Sequence, residues 1–376
     1  MNTHSERAGR NARAAHASAH AAAHAEIVKR LKRRHAAQPF VLLVSSSHPH
    51  LGHRLAVELA RRGHEFAVPP IEKSVFADGE KYLRVDCDEN GFKGMPTFVL
   101  GSVHSQTADS RERGAFKNHL LEMLLLVNAA RSNGAGKIVA LLPYYAYGRQ
   151  ERVNKPGEPL SALAIRDALR AAGANEVVAV DLHAPRAVEG VRNLMPTWLF
   201  AERARELLGA KTVLPGKAVV FAPDKGAYDR ATALAKLLKS RHGAARVAWA
   251  EKQRPEHDKS FIAAFHGDVA QMDVVTWDDI ASTLGTLSHG VKHLKDLKAK
   301  RVFVFATHAV LVGKAWQRLD KSRLEKFVVT DSIPLENRAL SLEDSQVLRH
   351  LARSRKLEVI TLAPLLADFI EADLTK

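Results

Sequence analysis

From Phe40 onward, short continuous apolar runs alternate with longer stretches whose apolar residues recur every three or four positions. The short runs Phe40–Val44, Thr97–Gly101, Ile138–Leu142 and Val177–Asp181 predict strands buried on both faces. Between them, Leu51–Arg62, Ala115–Ser132 and Leu160–Ala172 predict amphipathic helices. After a break near Pro196 the alternation restarts. Strands are expected at Ala218–Ala222, Arg246–Ala250, Asp273–Trp277, Val302–Ala306 and Phe327–Thr330, and helices at Tyr228–Ser240, Thr286–Lys298 and Gly313–Leu319. Strand–helix–strand connections are right-handed crossovers that build parallel sheets. Their recurrence predicts two similar α/β domains, at 39–197 and 198–355. A final strand and helix within 356–376 are expected to return to the first domain.

Residues 1–38 break the pattern, being rich in Ala, His and Arg and poor in large apolar side chains. They read as a basic, solvated tail with a helical stretch around Ala21–Arg34, although an Arg-rich, acid-poor start also has the look of an organellar transit peptide. Its five histidines form a biased tract rather than a spaced metal motif.

Composition narrows the function classes. The 376 residues are 46% hydrophobic and 26% charged, enough to bury a sizeable core. A single cysteine, Cys87, excludes an intrachain disulfide and a cysteine-based zinc site. The most apolar run, Leu120 to Ala130, contains Glu122 and Asn128 and is too short to span a bilayer. With no apolar signal core, a cytoplasmic protein without membrane partners is expected. The net charge is +15, of which the tail carries +6. A basic body suits nucleic acid or small phosphorylated ligands. No predicted helix carries a dense basic face, so nucleic acid is the weaker reading.

Ligands of open α/β sheets bind beyond the carboxyl ends of the strands, and polar clusters collect there. The strongest is Val274-Val275-Thr276-Trp277-Asp278-Asp279-Ile280-Ala281-Ser282-Thr283-Leu284-Gly285-Thr286. An apolar strand runs into two acids, then hydroxyls and a glycine where a helix begins. Free N–H groups and the positive dipole end of a helix favour an anion, and adjacent carboxylates can bond a vicinal diol. Diol and phosphate together describe a sugar phosphate. An N-capped helix would explain Ser282 or Thr283, but not two acids in series.

Five further segments follow the same logic. Phe76-Ala77-Asp78-Gly79-Glu80 pairs an aromatic with acids across a turn. Pro143-Tyr144-Tyr145-Ala146-Tyr147-Gly148-Arg149-Gln150 is an aromatic, basic strand end. Val180-Asp181-Leu182-His183 and Ala222-Pro223-Asp224-Lys225-Gly226 each place a polar group just past a strand. Glu251-Lys252-Gln253-Arg254-Pro255 begins a stretch with the composition of a mobile loop, extending through Lys259.

The Asp278–Thr286 segment resembles the phosphoribosyl-binding fingerprint of the phosphoribosyltransferase fold. Together with the other five in this order, over roughly residues 40–376, it resembles the ribose-phosphate pyrophosphokinase family. The resemblance implies two tandem phosphoribosyltransferase-type domains, each a mainly parallel sheet flanked by helices. It implies transfer of the diphosphoryl group of magnesium-ATP to ribose 5-phosphate. By the same resemblance, Phe76, Asp78, Gly79, Glu80, Arg149 and Gln150 bind ATP, the first four often from a neighbouring subunit. Asp278, Asp279, Ser282, Thr283, Leu284, Gly285, Thr286 and Arg254 bind ribose 5-phosphate. His183 and Asp224 hold Mg2+, and Lys252 and Arg254 are catalytic. A homo-oligomer built from dimers, such as a hexamer, is implied as well. The chain departs from the family pattern at Ser282, Leu284, Lys225 and Gln253, and in extra length around Arg111–Lys117. These departures set it apart from the phosphate-activated branch and leave donors other than ATP open. The competing readings are a non-catalytic subunit that regulates the synthetase and a phosphoribosyltransferase that consumes its product. The retained Lys252, Arg254, His183, Asp224 and Asp278 argue against the first, and the tandem domains against the second.

Overall fold

A computed structural model describes residues 38–104, 115–209, 217–240, 243–256, 259–335, 338 and 341–375, with the side chains of 115–118, 239–240, 243–244 and 252–263 outside that description. The tail, its histidines and the helix expected at Ala21–Arg34 lie outside the described residues.

The first sheet is parallel throughout. Its strands are β1 (Phe40–Val44), β2 (Phe66–Ala67), β5 (Thr97–Leu100), β6 (Ile138–Leu142), β7 (Glu176–Val180) and β8 (Val191–Leu194), in the order β2-β1-β5-β6-β7-β8. Helices α1 (Pro49–Arg61), α2 (Ala115–Ser132) and α3 (Ser161–Ala172) connect them. The β1, β5, β6 and β7 runs are apolar at nearly every position because both faces are covered. A separate antiparallel hairpin, β3 (Ile71–Val75) and β4 (Lys81–Val85), projects from this half. Its strands mix charged with apolar residues, since only one side packs. Buried Glu122 on α2 anchors it, accepting from Lys73 Nζ at 2.6 Å.

The second sheet joins β9 (Ala218–Ala222), β12 (Arg246–Glu256), β13 (Lys259–His266), β14 (Asp273–Ala281), β15 (Arg301–Ala309), β16 (Lys326–Thr330) and β17 (Leu357–Ile360) in the order β13-β12-β9-β14-β15-β16-β17. Only β13 runs antiparallel, against β12. A two-residue pair, β10 (Lys239–Ser240) with β11 (Gly243–Ala244), sits apart. Helices α4 (Thr197–Leu207) and α5 (Tyr228–Leu237) cover one face around Phe200, Val275, Trp277 and Phe305. Helices α6 (Gly285–Asp296), α7 (Ala315–Lys321) and α8 (Leu342–Arg353) cover the other around Val274, Val304, Trp316 and Leu351.

The terminal strand–helix unit divides between the halves. The expectation that both parts return to the first half fails for the strand. β17 pairs with β16 in parallel, Phe327 opposite Leu357 and Thr330 opposite Ile360, so it belongs to the second sheet. The helix α9 (Ala363–Leu374) crosses over and packs Leu365, Leu366, Phe369 and Ile370 against Leu42, Leu51, Leu55 and Phe98 of the first half. Arg62 bonds Asp368 and Glu371, and Lys137 bonds Asp373, at 2.6–2.8 Å. The break between strand and helix is held by Asp331, whose Oδ1 accepts from Leu362 N at 2.7 Å while Arg54 of α1 bonds Oδ2 at 2.8 Å.

The two sheets face each other across their carboxyl ends. His48 Nε2 donates to the carbonyl of Asp331, and Ser102 Oγ donates to that of Ser332 at 2.6 Å. His308 is buried between the halves, its Nε2 3.1 Å from the carbonyl oxygen of Val180 and 3.3 Å from that of Asp181. Both partners there are carbonyls, which only accept, so Nε2 carries the proton. Burial lowers the pKa of His308 and keeps the ring neutral.

Candidate active site

The cleft between the facing edges has a volume of about 230 Å³ and is lined by Tyr144, Tyr147, Arg149, Gln150 and His183 of the first half, with Ile280 and His308 of the second. Each lining residue sits just past a strand end or at a strand's final turn. Tyr147 adopts a left-handed φ of 56°, in the tight turn that carries Gly148 and Arg149 into the cleft.

Asp278 and Asp279 lie within β14 rather than beyond it. A strand ending at Trp277 is the expectation from the apolar run; β14 continues to Ala281 because β15 runs alongside, Asp278 opposite Ala306 and Ala281 opposite Ala309. Alternation then gives the two acids different surroundings. Asp279 reaches across to the first half, its Oδ2 2.7 Å from His183 Nδ1. Asp278 lines a hollow with Pro223, Thr276 and Thr286 at the head of α6. The acids remain coupled. Burial, and then the charge of Asp279, push the Asp278 carboxyl up to about 7. Burial alone would raise Asp279 too, but the His183 bond and the Arg230 guanidinium outweigh it and hold that carboxyl well below the ordinary range. The same bond raises the His183 pKa.

The Ser282–Gly285 loop turns on Leu284, at φ 58° and ψ 16°. No side chain caps the start of α6, so the N–H groups of its first turn are not bonded by a capping side chain. Thr283 and Thr286 are exposed beside them. Loop carbonyls are tied back instead, Ser282 O to Val312 N at 3.2 Å and Thr283 O to Arg318 Nη1 at 2.7 Å. Leu284 points into the core and is 4% exposed, so its bulk leaves the loop's outer face clear. Its left-handed backbone costs a side-chain-bearing residue roughly 1–2 kcal/mol, which the burial of the leucine offsets. Leu284→Ala keeps that backbone cost and loses the packing; a stability loss of about 2–4 kcal/mol is expected, read as a lowered urea midpoint with an unchanged slope.

Asp224 lies two residues past the end of β9 and caps the single turn Lys225–Ala227, Oδ1 accepting from Ala227 N at 3.1 Å. Lys225 is exposed with ordinary backbone angles, so the turn does not require glycine there. Asp224 also adds to the charge that raises Asp278.

Lys252 and Arg254 lie on β12, with backbone register Lys252 to Ile262. The stretch read as a loop is the extended arm of a hairpin, irregular between Glu251 and Lys252 and again between Gln253 and Glu256. Because Trp249 of β12 is opposite Ala222, the last residue of β9, the arm projects beyond the sheet's carboxyl edge. Lys252 and Arg254 stand roughly 10 and 17 Å along it. Their side chains lie outside the described residues.

Phe76, Asp78, Gly79 and Glu80 form the tip of the β3–β4 hairpin and line none of the cleft. Phe76 N donates to Glu80 O at 2.8 Å, Gly79 takes φ 93°, and the Phe76 ring is 54% exposed.

Three groups central to this arrangement have no place among the expected site residues: Asp181, Arg230 and the Thr307–His308 pair. Asp181 sits inside the segment noted for His183, and Arg230 lies four residues past the one noted for Asp224. Thr307 and His308 end the long β15, where the rule that ligands gather at carboxyl strand ends points to them.

Residues 40–173 match the family model for the N-terminal domain of ribose phosphate pyrophosphokinase, and residues 248–367 match that for the phosphoribosyl synthetase-associated domain. The chain is 32% identical over 297 residues to a ribose-phosphate pyrophosphokinase of Aquifex aeolicus, covering 79% of this chain and 85% of that one. Against the Clostridium perfringens protein of the same name, identity is 31% over 335 residues, covering 88% and 92%. A crystal structure of phosphoribosylpyrophosphate synthetase from Mycobacterium smegmatis superposes with a TM-score of 0.71 at 29% identity, covering 90% of this chain and 99% of that one. Parallel sheets flanked by helices in both halves are thus the phosphoribosyltransferase-type architecture. With both halves matched and most of each relative covered, the chain belongs to the ribose-phosphate pyrophosphokinase family.

Proposed function

We propose that this protein is a ribose-phosphate diphosphokinase, moving the diphosphoryl group of ATP to the anomeric hydroxyl of ribose 5-phosphate and yielding phosphoribosyl diphosphate and AMP. The observation that carries this reading is the meeting of two carboxyl edges. Arg149, Gln150 and His183 face Ile280 of β14 across one cleft, His183 bonds Asp279, and β14 leads on to the head of α6. Such a transfer needs positioning and charge neutralisation more than covalent help.

In this scheme the 5-phosphate rests on the first-turn N–H groups of α6 and the hydroxyls of Ser282, Thr283 and Thr286. Gly285 leaves room there, since a Cβ would meet nothing closer than 3.6 Å. Asp278, with Asp279, takes the ribose hydroxyls. Arg149 and Gln150 hold the ATP phosphates and base. Phe76, Asp78, Gly79 and Glu80, exposed and away from the cleft, serve the nucleotide of a neighbouring protomer in a dimer-based homo-oligomer. Lys252 and Arg254 swing in from the hairpin arm onto the β-phosphate.

Magnesium, bound with the nucleotide, would neutralise phosphate charge. Among the described residues no three His, Cys, Asp or Glu side chains converge as a metal cage. That fits an ion held mainly by phosphate oxygens and water, with Asp224 as the hard carboxylate ligand. His183, its Nδ1 engaged by Asp279, offers only Nε2, a poor magnesium donor suited to a contact through water. No helix of the described residues is long and apolar enough to cross a membrane.

The test is AMP release from magnesium-ATP, with and without ribose 5-phosphate. Sugar-dependent AMP in equal amount with phosphoribosyl diphosphate is expected. Folded protein that releases none would fit the non-catalytic regulatory subunit instead.

A further inference from the structure

The side chain of Asp181, in the first half, is fully buried against the second half. It stands one residue past β7 in a left-handed conformation, φ 44°, which a side-chain-bearing residue adopts only when its surroundings hold it there. Its Oδ1 accepts from Arg230 Nη2 at 2.9 Å, and its Oδ2 accepts from Thr307 Oγ1. Both partners belong to the second half, on α5 and at the end of β15. Thr307 Oγ1 in turn accepts from Trp277 Nε1 at 3.0 Å. The Arg230 guanidinium lies over the Trp277 ring, 5.4 Å from its centre. Arg230 Nε has no hydrogen-bond partner. Asp181 and Trp277 are therefore what fix the direction of this cation.

The position of Arg230 matters because of what lies near it. Its charge acts on Asp278 and Asp279 as well as on Asp181. Asp181 is two residues before His183, and Trp277 directly precedes Asp278. The contact thus ties the segment carrying His183 to the strand carrying both acids.

We infer that Asp181 and Arg230 form a positioning pair that sets the nucleotide half against the sugar half, holding His183 opposite Asp279 in the reacting geometry. The inference rests on the reading of the cleft as a diphosphokinase site. Neither residue need touch a substrate. A misplacement of about 1 Å at such a junction costs roughly 100-fold in rate.

The test uses the full-length protein. Asp181→Asn keeps the size of the side chain and removes the charge that orients Arg230. Turnover should fall roughly 10- to 100-fold while the KM for magnesium-ATP changes by less than about threefold. If Asp181 acts through His183, the double variant Asp181→Asn/His183→Ala should turn over about as slowly as His183→Ala alone. Independent, multiplying losses would overturn the inference, as would wild-type turnover in Asp181→Asn. Should Asp181→Asn fail to fold, Thr307→Val removes the other hydrogen bond to the same carboxylate. It should lower turnover in the same direction, and unchanged turnover there would also overturn the inference. Arg230→Lys should retain more activity than Arg230→Met at matched thermal stability. Calorimetric binding of ribose 5-phosphate to each variant separates the two failures. A wild type without turnover that still binds the sugar refutes the diphosphokinase reading alone. Variants binding it as wild type does, with equal turnover, refute the positioning pair alone.

Discussion

Lys252→Ala is expected to lower kcat by about 100- to 1,000-fold while leaving the KM of either substrate within roughly threefold. The asymmetry follows from where the residue stands. In the proposed scheme the 5-phosphate and the ribose are held on α6 and β14 and the nucleotide by Arg149 and Gln150, so ground-state binding would not need Lys252. The β12 arm projects past Ala222, the last residue of β9, on the side where the β-phosphate would lie. Charge grows there only as the transfer proceeds. A cation brought against such developing charge in a water-poor cleft acts on it most strongly. Arg254→Ala should fall in the same direction, with an added rise in the ribose 5-phosphate KM if it also holds the sugar. Steady-state AMP release at saturating and limiting substrate separates the two parameters, and equal turnover in Lys252→Ala removes the role.

Asp278→Asn is expected to make the protein more stable and close to inactive. Asp278 is half-buried beside Asp279, and its carboxyl is pushed up to about 7 from the ordinary 3.8. The folded protein therefore binds a proton there that the unfolded chain has already released. Between about pH 4 and 7, raising the pH erodes stability at this group; above 7 the full penalty is present. Asn removes the charge and can keep the bond from Asp279 N, at 3.0 Å in the wild type. At pH 8 the variant's Tm should rise by at least about 2–4 °C, with the gain vanishing near pH 4. Ribose 5-phosphate affinity measured by calorimetry should collapse, because the hydroxyl acceptor is weakened and the charge is gone. A variant no more stable than wild type at pH 8 would show that Asp278 carries no such strain. In the wild type, sugar affinity should weaken as the pH falls through 7.

Much of the scaffold was legible from apolar runs alone. β1, β6 and β9 lie where the sequence pattern places them, because strands covered on both faces must be apolar throughout. The β3–β4 hairpin escaped notice because only one of its faces packs, and its charged positions mask the alternation. β13 and the outer part of β12 escaped because Lys252–Lys259 has the composition of a loop. β14 extends past its apolar run because β15 supplies a partner there, something no local pattern encodes. In the site, the acids and the uncapped helix start could be found by chemistry at strand ends. The bond from Arg230 to Asp181 could not, since the two are 49 residues apart and meet only once the halves are docked. The inward turn of Leu284 was equally hidden: a bulky residue in a tight loop reads as an obstruction until its backbone angles are known.

The placement of α9 also has a consequence for biosynthesis. One face of the first sheet is completed by Leu365, Leu366, Phe369 and Ile370, residues translated after the whole second sheet. A ribosome that has released the first two hundred residues has therefore exposed a half-clothed layer, with Leu42, Leu55 and Phe98 lacking their final cover. The opening half must wait for its closing helix, so the two halves mature together instead of one after the other.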